Sequence, residues 1–192
     1  MKKGFTLVEL LIVVGILAIL STATILILNP AQLLAETRDT ARISDLNTLS
    51  GALSLYLATA ATPTFAGTLQ CTAADDLTGE ACFGVTPNVL RNVTGTGWVN
   101  VNLTNTSGGS PIASLPLDPV GTTQTADAHY SFKSVAAPTL TFELNTYMES
   151  TKYSNTGSSD KESTDGGSEA NCYEIGNDPG LDLIDGTAAT GC

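Results

Sequence analysis

Positive charge is scarce in this chain. Of 192 residues, 8 are Lys or Arg against 19 Asp or Glu, a formal net charge of −11. Such a surface repels phosphate backbones, so sequence-blind nucleic-acid binding is not expected of it. There is one histidine, His129, and neither a nucleophile motif nor a glycine-rich phosphate loop. Nothing here argues for an enzyme, and His129 reads as an ordinary strand-end residue. Charged residues make up only 14% of the chain, while Thr, Ser, Asn and Gly are plentiful, as suits an exposed surface of strands and loops. With roughly 55 residues committed to a helical stalk, what remains can fold as one modest domain but not two.

What is present is concentrated at the start. Lys2-Lys3-Gly4 stands before an apolar run from Phe5 to Leu28 that contains one charge, Glu9. At about 1.5 Å per residue that run makes a helix of roughly 36 Å, enough to cross a hydrocarbon core of about 30 Å. The lysines would hold the short flank in the cytoplasm. A carboxylate at the bilayer centre costs about 2.5–3.5 kcal/mol, so Glu9 needs a reason. A local one exists, because Thr6-Leu7-Val8-Glu9 fits a helix capping box, with Glu9 near the positive end of the helix dipole. An ordinary secretory signal fits poorly. Its apolar region ends after about 7–15 residues at a small-residue cleavage site, whereas here the small residue precedes a longer run.

Lys2 to Val14, reading Lys-Lys-Gly-Phe-Thr-Leu-Val-Glu-Leu-Leu-Ile-Val-Val, closely resembles the start of type IV pilins and type II secretion pseudopilins. In that family a membrane-embedded prepilin peptidase cuts after the glycine and methylates the new amino terminus. The resemblance therefore implies a cut between Gly4 and Phe5, with Phe5 as the N-methylated first residue. It also implies that Glu9 meets the Phe5 amine of a neighbouring subunit when helices bundle into a fibre. Leaving one such charge alone in a low-dielectric bundle costs about 3–5 kcal/mol, so Glu9 would select axial register. Gly15, Ala18 and Thr22 form a stripe of small residues where helices could approach, which is also ordinary membrane-helix composition. Losing Lys2 and Lys3 with the leader leaves 6 basic residues against 19 acids, so the side-chain balance moves from −11 to −13.

Asn29-Pro30 interrupts the apolar pattern, and a kink or local melting is expected there. From Ala31 to Ala58 a second helical stretch follows. Ile43, Leu46, Leu49, Leu53 and Tyr56 recur at helical spacing, while Arg38, Asp39, Arg42, Asp45 and Asn47 gather elsewhere. Asp39 with Arg42, and Arg42 with Asp45, are i, i+3 pairs worth a few tenths of a kcal/mol each. The apolar stripe is expected to pack on a sheet, and the resemblance implies a helix continuous with the membrane segment.

Beyond Ala60 the chain is polar and punctuated, and 61–97 reads as a long connecting region. Val99, Val101 and Leu103 alternate with Asn100 and Asn102, the pattern of a half-buried strand with Trp98 at its entrance. Residues 129–147 read as an antiparallel hairpin around Ala136-Ala137-Pro138. Leu115-Pro116-Leu117-Asp118-Pro119-Val120-Gly121 resembles a segment that precedes the sheet in major pseudopilins, with Val120 where a tryptophan is common there. The expected class is α+β: a long N-terminal helix, transmembrane then amphipathic, laid on a small antiparallel sheet as in the pilin fold. The organisation is a leader over 1–4, a polymerisation helix over 5–28, its amphipathic continuation over 29–58 and a β-rich head over 59–192.

Cys71, Cys82, Cys172 and Cys192 permit three pairings. Sequence-local pairing, Cys71 with Cys82 and Cys172 with Cys192, is expected in an oxidising compartment, each bridge worth about 2–4 kcal/mol. Neither gap has zinc-site spacing. The loop bounded by the last two resembles the variable region of many type IV pilins. Without that bridge, 154–169 is expected to fray. Major pseudopilins carry calcium in a similar glycine–aspartate tail, which makes Asp165, Glu169, Asp178 and Asp182 candidate ligands by resemblance. Their spacing does not fit an EF-hand, and a solvated acidic loop is the default. No other cofactor is expected. The Asn-X-Ser/Thr triplets at Asn92, Asn102 and Asn105 read as coincidence.

The resemblance implies a structural subunit of a type IV pilus, serving adhesion, motility or DNA uptake. Two alternatives stand beside it: a pseudopilin of a type II secretion system, and a membrane-anchored surface domain that never polymerises. Its partners would be further copies of itself, the prepilin peptidase and an assembly platform in the inner membrane. The precursor would sit as a single-pass protein in the cytoplasmic membrane, then join an extracellular fibre, or a periplasmic one for a pseudopilin.

Overall fold

The computed structural model describes residues 4–73, 82, 84–120 and 128–181, and for 26–28 the backbone alone. Helix α1, Leu7–Leu28, starts where the local chemistry directs. Thr6 is extended, its Oγ1 accepts the Glu9 N–H at 3.3 Å, and its own N–H donates to Glu9 Oε2 at 2.8 Å. Two of the donors that open any helix are thereby satisfied. The helix is apolar enough to span a membrane, with mean hydropathy 2.8 over its best window, and the head buries none of that window.

Helix α2, Pro30–Thr59, follows after a single residue. Asn29 sits at φ 39°, in the left-handed region, so it ends α1 and begins α2 at once. Its side-chain oxygen accepts the Gln32 N–H at 3.4 Å and its carbonyl the Leu33 N–H at 3.2 Å. Pro30 has no N–H to lose at this first helical position. The helical region therefore runs from Leu7 to Thr59, continuous as the resemblance implied and interrupted at Asn29, where the kink was expected.

The buried face of α2 is Ala35, Asp39, Arg42, Leu46, Leu49, Ala52, Leu53 and Tyr56. This corrects the sequence reading, which set Asp39 and Arg42 apart from the apolar stripe. The two residues continue it by one more heptad, and both are fully buried. A helical period places residues on a face without regard to their charge.

Four short strands form one antiparallel sheet in the order β1 Leu69–Cys71, β2 Ser131–Ser134, β3 Phe142–Thr146 and β4 Tyr173–Gly176. The expected hairpin is β2 and β3, in register Phe132 with Leu144 and Lys133 with Glu143, around a cis Ala137–Pro138 bond. Phe132, Phe142 and Leu144 face α2. There they meet Leu46, Leu49, Leu53 and Tyr56, with Phe65 set edge-on to Phe132 and Phe142 at 6.3 and 6.0 Å. Burying each such side chain stabilises by about 1.5–3 kcal/mol, which fastens the stalk to the head.

Two sequence expectations fail. Val99 to Leu103 is not a strand: it holds one isolated bridge, Thr94 with Asn102, and leads into a 3₁₀ turn at Leu103–Asn105. Trp98 and Val99 are adjacent yet both fully buried, which a pleated strand covered on one face cannot achieve. The connecting region 61–97 also contributes a strand, β1. With three residues, β1 is too short to show a period.

Candidate functional site

The amino-terminal constellation is local and exposed. Phe5 is 84% exposed, and Glu9 lies one helical turn on, its Oε2 taking both the Thr6 N–H and the Thr6 hydroxyl, the latter at 2.7 Å. Gly4 has open space around it. Leu7, Val8, Leu10, Leu11 and Ile12 surround the carboxylate with uncovered apolar side chains. The arrangement offers a peptidase an accessible Gly4–Phe5 bond. It also offers any facing helix one carboxylate on an otherwise apolar cylinder. The capping role does not compete with this, because Thr6 and Glu9 both lie after that bond.

At the other end of the stalk, Arg42 gathers three carboxylates. Its Nε and Nη2 donate to Asp118 Oδ2 and Oδ1 at 2.6 and 3.0 Å, a two-pronged match of guanidinium to carboxylate. Its Nη1 donates to Asp39 Oδ1 at 2.8 Å, and Nη2 also reaches Glu149 Oε1. Arg38 Nε holds Glu149 from the solvent side at 2.9 Å. Asp39 in turn accepts the backbone N–H groups of Glu149 and Ser150 at 2.9 and 2.8 Å. Burial alone would raise the Glu149 pKa, but its bonds from Arg38 and Arg42 hold it below the usual range. Arg42 is likewise held charged: burial opposes its proton, and Asp118 and Glu149 more than restore it.

The segment resembling a pseudopilin motif is what delivers Asp118. Leu115 is fully buried, its N–H donating to the Arg91 carbonyl at 3.0 Å and its carbonyl accepting Arg91 Nε at 2.7 Å. Trp98 Nε1 donates to the Pro116 carbonyl at 2.8 Å. Gly97 permits this docking, since a Cβ there would lie 2.4 Å from Leu115 Cδ1 and 2.2 Å from the Asn92 carbonyl oxygen. Sequence reading valued the Asp39–Arg42 pair at a few tenths of a kcal/mol. Buried as it is, loss of one partner costs about ten times more. The expected Arg42–Asp45 contact gives way to Asp118; Asp45 instead accepts the Tyr130 hydroxyl at 3.0 Å. The missed signal was two charges sitting in register with the apolar stripe.

Cys71 is bonded to Cys82 with Cα atoms 6.0 Å apart. Cys172 is also disulfide-bonded, and Cys192 lies outside the described residues. The loop around 154–169 is not a solvated acidic run. Glu162 is 3% exposed and accepts the Met148 and Asn155 N–H groups at 2.9 and 2.7 Å. Asp165 accepts those of Gly167 and Glu174 at 2.9 and 2.5 Å, and Asp160 those of Thr156 and Ser163 at 3.0 Å each. Carboxylates here replace strand ladders as acceptors for irregular backbone. Of the calcium candidates, Asp165 is committed to these turns. Glu169 and Asp178 donate backbone N–H groups, to Glu174 Oε2 and the Phe142 carbonyl, and Asp182 lies outside the described residues. Among the described residues no group of three or more His, Cys, Asp or Glu side chains is placed to hold a metal ion. His129 is buried at the head of β2, its ring 6.3 Å from that of Tyr147.

The family model described as the prokaryotic N-terminal methylation motif matches residues 1–25. The amino terminus is a prepilin-type methylation motif. It supports a type IV pilin- or pseudopilin-like precursor, a structural protein rather than an enzyme, processed by a prepilin peptidase and assembled into pilus-like polymers. With the exposed apolar helix, it fits a membrane-anchored precursor. No curated protein and no solved structure matches the chain.

Proposed function

We propose that this protein is the structural subunit of a type IV pilus. Cleavage between Gly4 and Phe5 frees a Phe5 amine, and the subunit then polymerises through α1. The observation that carries the reading is an apolar helix that its own head leaves bare, interrupted by the single carboxylate of Glu9. Only a bilayer or other such helices can cover that surface, and in either setting the carboxylate needs a cation beside it. The amine of a neighbouring Phe5 is the cation that cleavage creates.

Mass analysis of the mature amino-terminal peptide tests the first step: a methylated Phe5 start is expected, and intact Met1–Gly4 refutes it. For the second step, Glu9→Ala should leave membrane-bound protein at the wild-type level while sheared fibre falls at least tenfold. Unchanged fibre yield would remove Glu9 from assembly.

A pseudopilin of a type II secretion system is the second reading. The Leu115–Gly121 segment favours it, because its Asp118 is the residue the head uses to grip the stalk. Absence of the protein from sheared surface fibres, with secretion lost on deletion, would select this reading. Absence from any polymer would leave a membrane-anchored surface domain.

A further inference from the structure

Helix α2 turns its charges the wrong way for a helix that ends in water. A surface helix packs its apolar stripe inward and presents charged residues to solvent. The five charged residues of α2, Glu36, Arg38, Asp39, Arg42 and Asp45, all take partners on the head instead. Asp39 and Arg42 lie within the buried face, beside Asp118 and Glu149. Arg38 holds Glu149, Lys152 Nζ donates to Glu36 Oε2 at 2.9 Å, and the Tyr130 hydroxyl donates to Asp45.

The opposite side is left without charge. Thr37, Thr40, Ser44, Thr48, Gly51 and Leu55 recur three and four residues apart, and every one is exposed. The threonine hydroxyls bend back onto α2 itself. Those of Thr37, Thr40 and Thr48 donate to the carbonyls of Leu33, Glu36 and Ser44 at 3.0, 2.8 and 2.8 Å, so they need no partner from outside. Nothing lies within 4 Å of the place a Cβ on Gly51 would take. Leu33 and Leu34, both 60% exposed, join this stripe to the bare apolar surface of α1.

What fits the stripe is a helix that cannot face a charge. Beyond Glu9, α1 is apolar on every side, and its 22 residues span roughly 33 Å. The stripe from Leu33 to Leu55 is roughly 35 Å long by the same rise per residue. Outside a bilayer α1 needs cover along its whole length, and an Arg or Glu opposite it would be stranded there. The stripe opposes it with uncharged, mostly small residues, which let two helix axes approach closely. Two α2 stripes facing each other would cover no part of α1. We propose that the stripe from Leu33 to Leu55 on α2 is the docking surface for α1 of a second copy of this chain. This rests on the polymerisation through α1 proposed above and names the surface that receives that helix. The ion pairs with the head then have a second effect, since they draw the charges of α2 away from the incoming neighbour.

The test compares sheared fibres with detergent-solubilised subunits of full-length Thr48→Cys, since no cysteine among the described residues is free to react. A water-soluble maleimide should label the solubilised subunit fully and the fibre at least tenfold less. An encoded diazirine amino acid of similar size in place of Leu55 should crosslink, in fibres, to peptide 5–28 of another copy. Gly51→Arg should fold, reach the membrane and carry a methylated Phe5 as wild type does, while its fibre yield falls at least tenfold. Full labelling of Thr48→Cys in fibres, or wild-type yield from Gly51→Arg, overturns this surface and leaves the proposed function standing. Crosslinks from position 55 to α2 or the head of a neighbour overturn α1 as its occupant. If wild-type cells make no polymer, the proposed function falls and the docking surface with it.

Discussion

Two groups of carboxylates, one at the junction of α2 with the head and one on the face of the sheet turned away from α2, are treated differently. At the stalk junction, Asp39, Asp118 and Glu149 converge on Arg42, with Arg38 behind. On the outer face, Glu143 and Glu174 converge on each other. In the first group, Glu149 is held below the usual carboxylate range by its guanidinium partners. In the second, proton affinity is raised. Burial first, then the partner carboxylate, pushes Glu143 up to about 9, and burial pushes Glu174 up to about 7. Burial differs too, since Glu149 reaches the surface while Glu143 and Glu174 are enclosed, but only the first set has a cationic side chain placed at its centre. A chain with 8 basic residues cannot provide one everywhere.

Removing Arg42 should have the largest effect on this contrast. Arg42→Ala converts the first cluster into a worse version of the second, three carboxylates without their hub. A loss of about 3–5 kcal/mol is expected, read as a Tm lower by about 10 °C in thermal unfolding of the full chain. A variant melting within about 2 °C of wild type would show that the network does not join stalk to head. Next comes Glu162→Ala, which strips the acceptor from two backbone N–H groups in the 154–169 loop. Its cost should be about 1–3 kcal/mol, with faster hydrogen exchange at Met148 and Asn155. If exchange there is unchanged, that carboxylate does not hold the loop.

The smallest effect sharpens the comparison most. Both outer-face glutamates have folded pKa values above the ordinary 4.5, so the folded state binds protons more tightly than the unfolded one. Their contribution is fully present below about pH 4.5 and is lost as pH rises through about 7 and then about 9. In chelated buffer the Tm should therefore fall between pH 5 and 9, and Glu143→Gln should flatten that slope. A slope equal to wild type in the variant would assign the loss to other groups.

Legibility followed the range of the interaction. Thr6, Glu9 and the break at Asn29-Pro30 could be read directly, since capping and helix interruption are settled within four residues. The Phe132–Leu144 hairpin was readable for the same reason, its strands being joined by one short turn. β1 and β4 were not, because strands of three and four residues carry too little pattern. Asp39 and Arg42 were set apart by their charge although their spacing matched the stripe. Trp98 to Leu103 alternated like a strand but folds as a buried loop, because docking of Leu115 and the Trp98–Pro116 bond outweigh its β preference.

By itself the sequence determined the apolar stalk and its capped start, since those depend on neighbours along one helix. Only the tertiary structure decided which carboxylates face a guanidinium and which face another carboxylate. Asp118 reaches Arg42 across 76 residues and Glu149 across 107, and the electrostatic free energy of a buried charge depends on what the fold sets beside it.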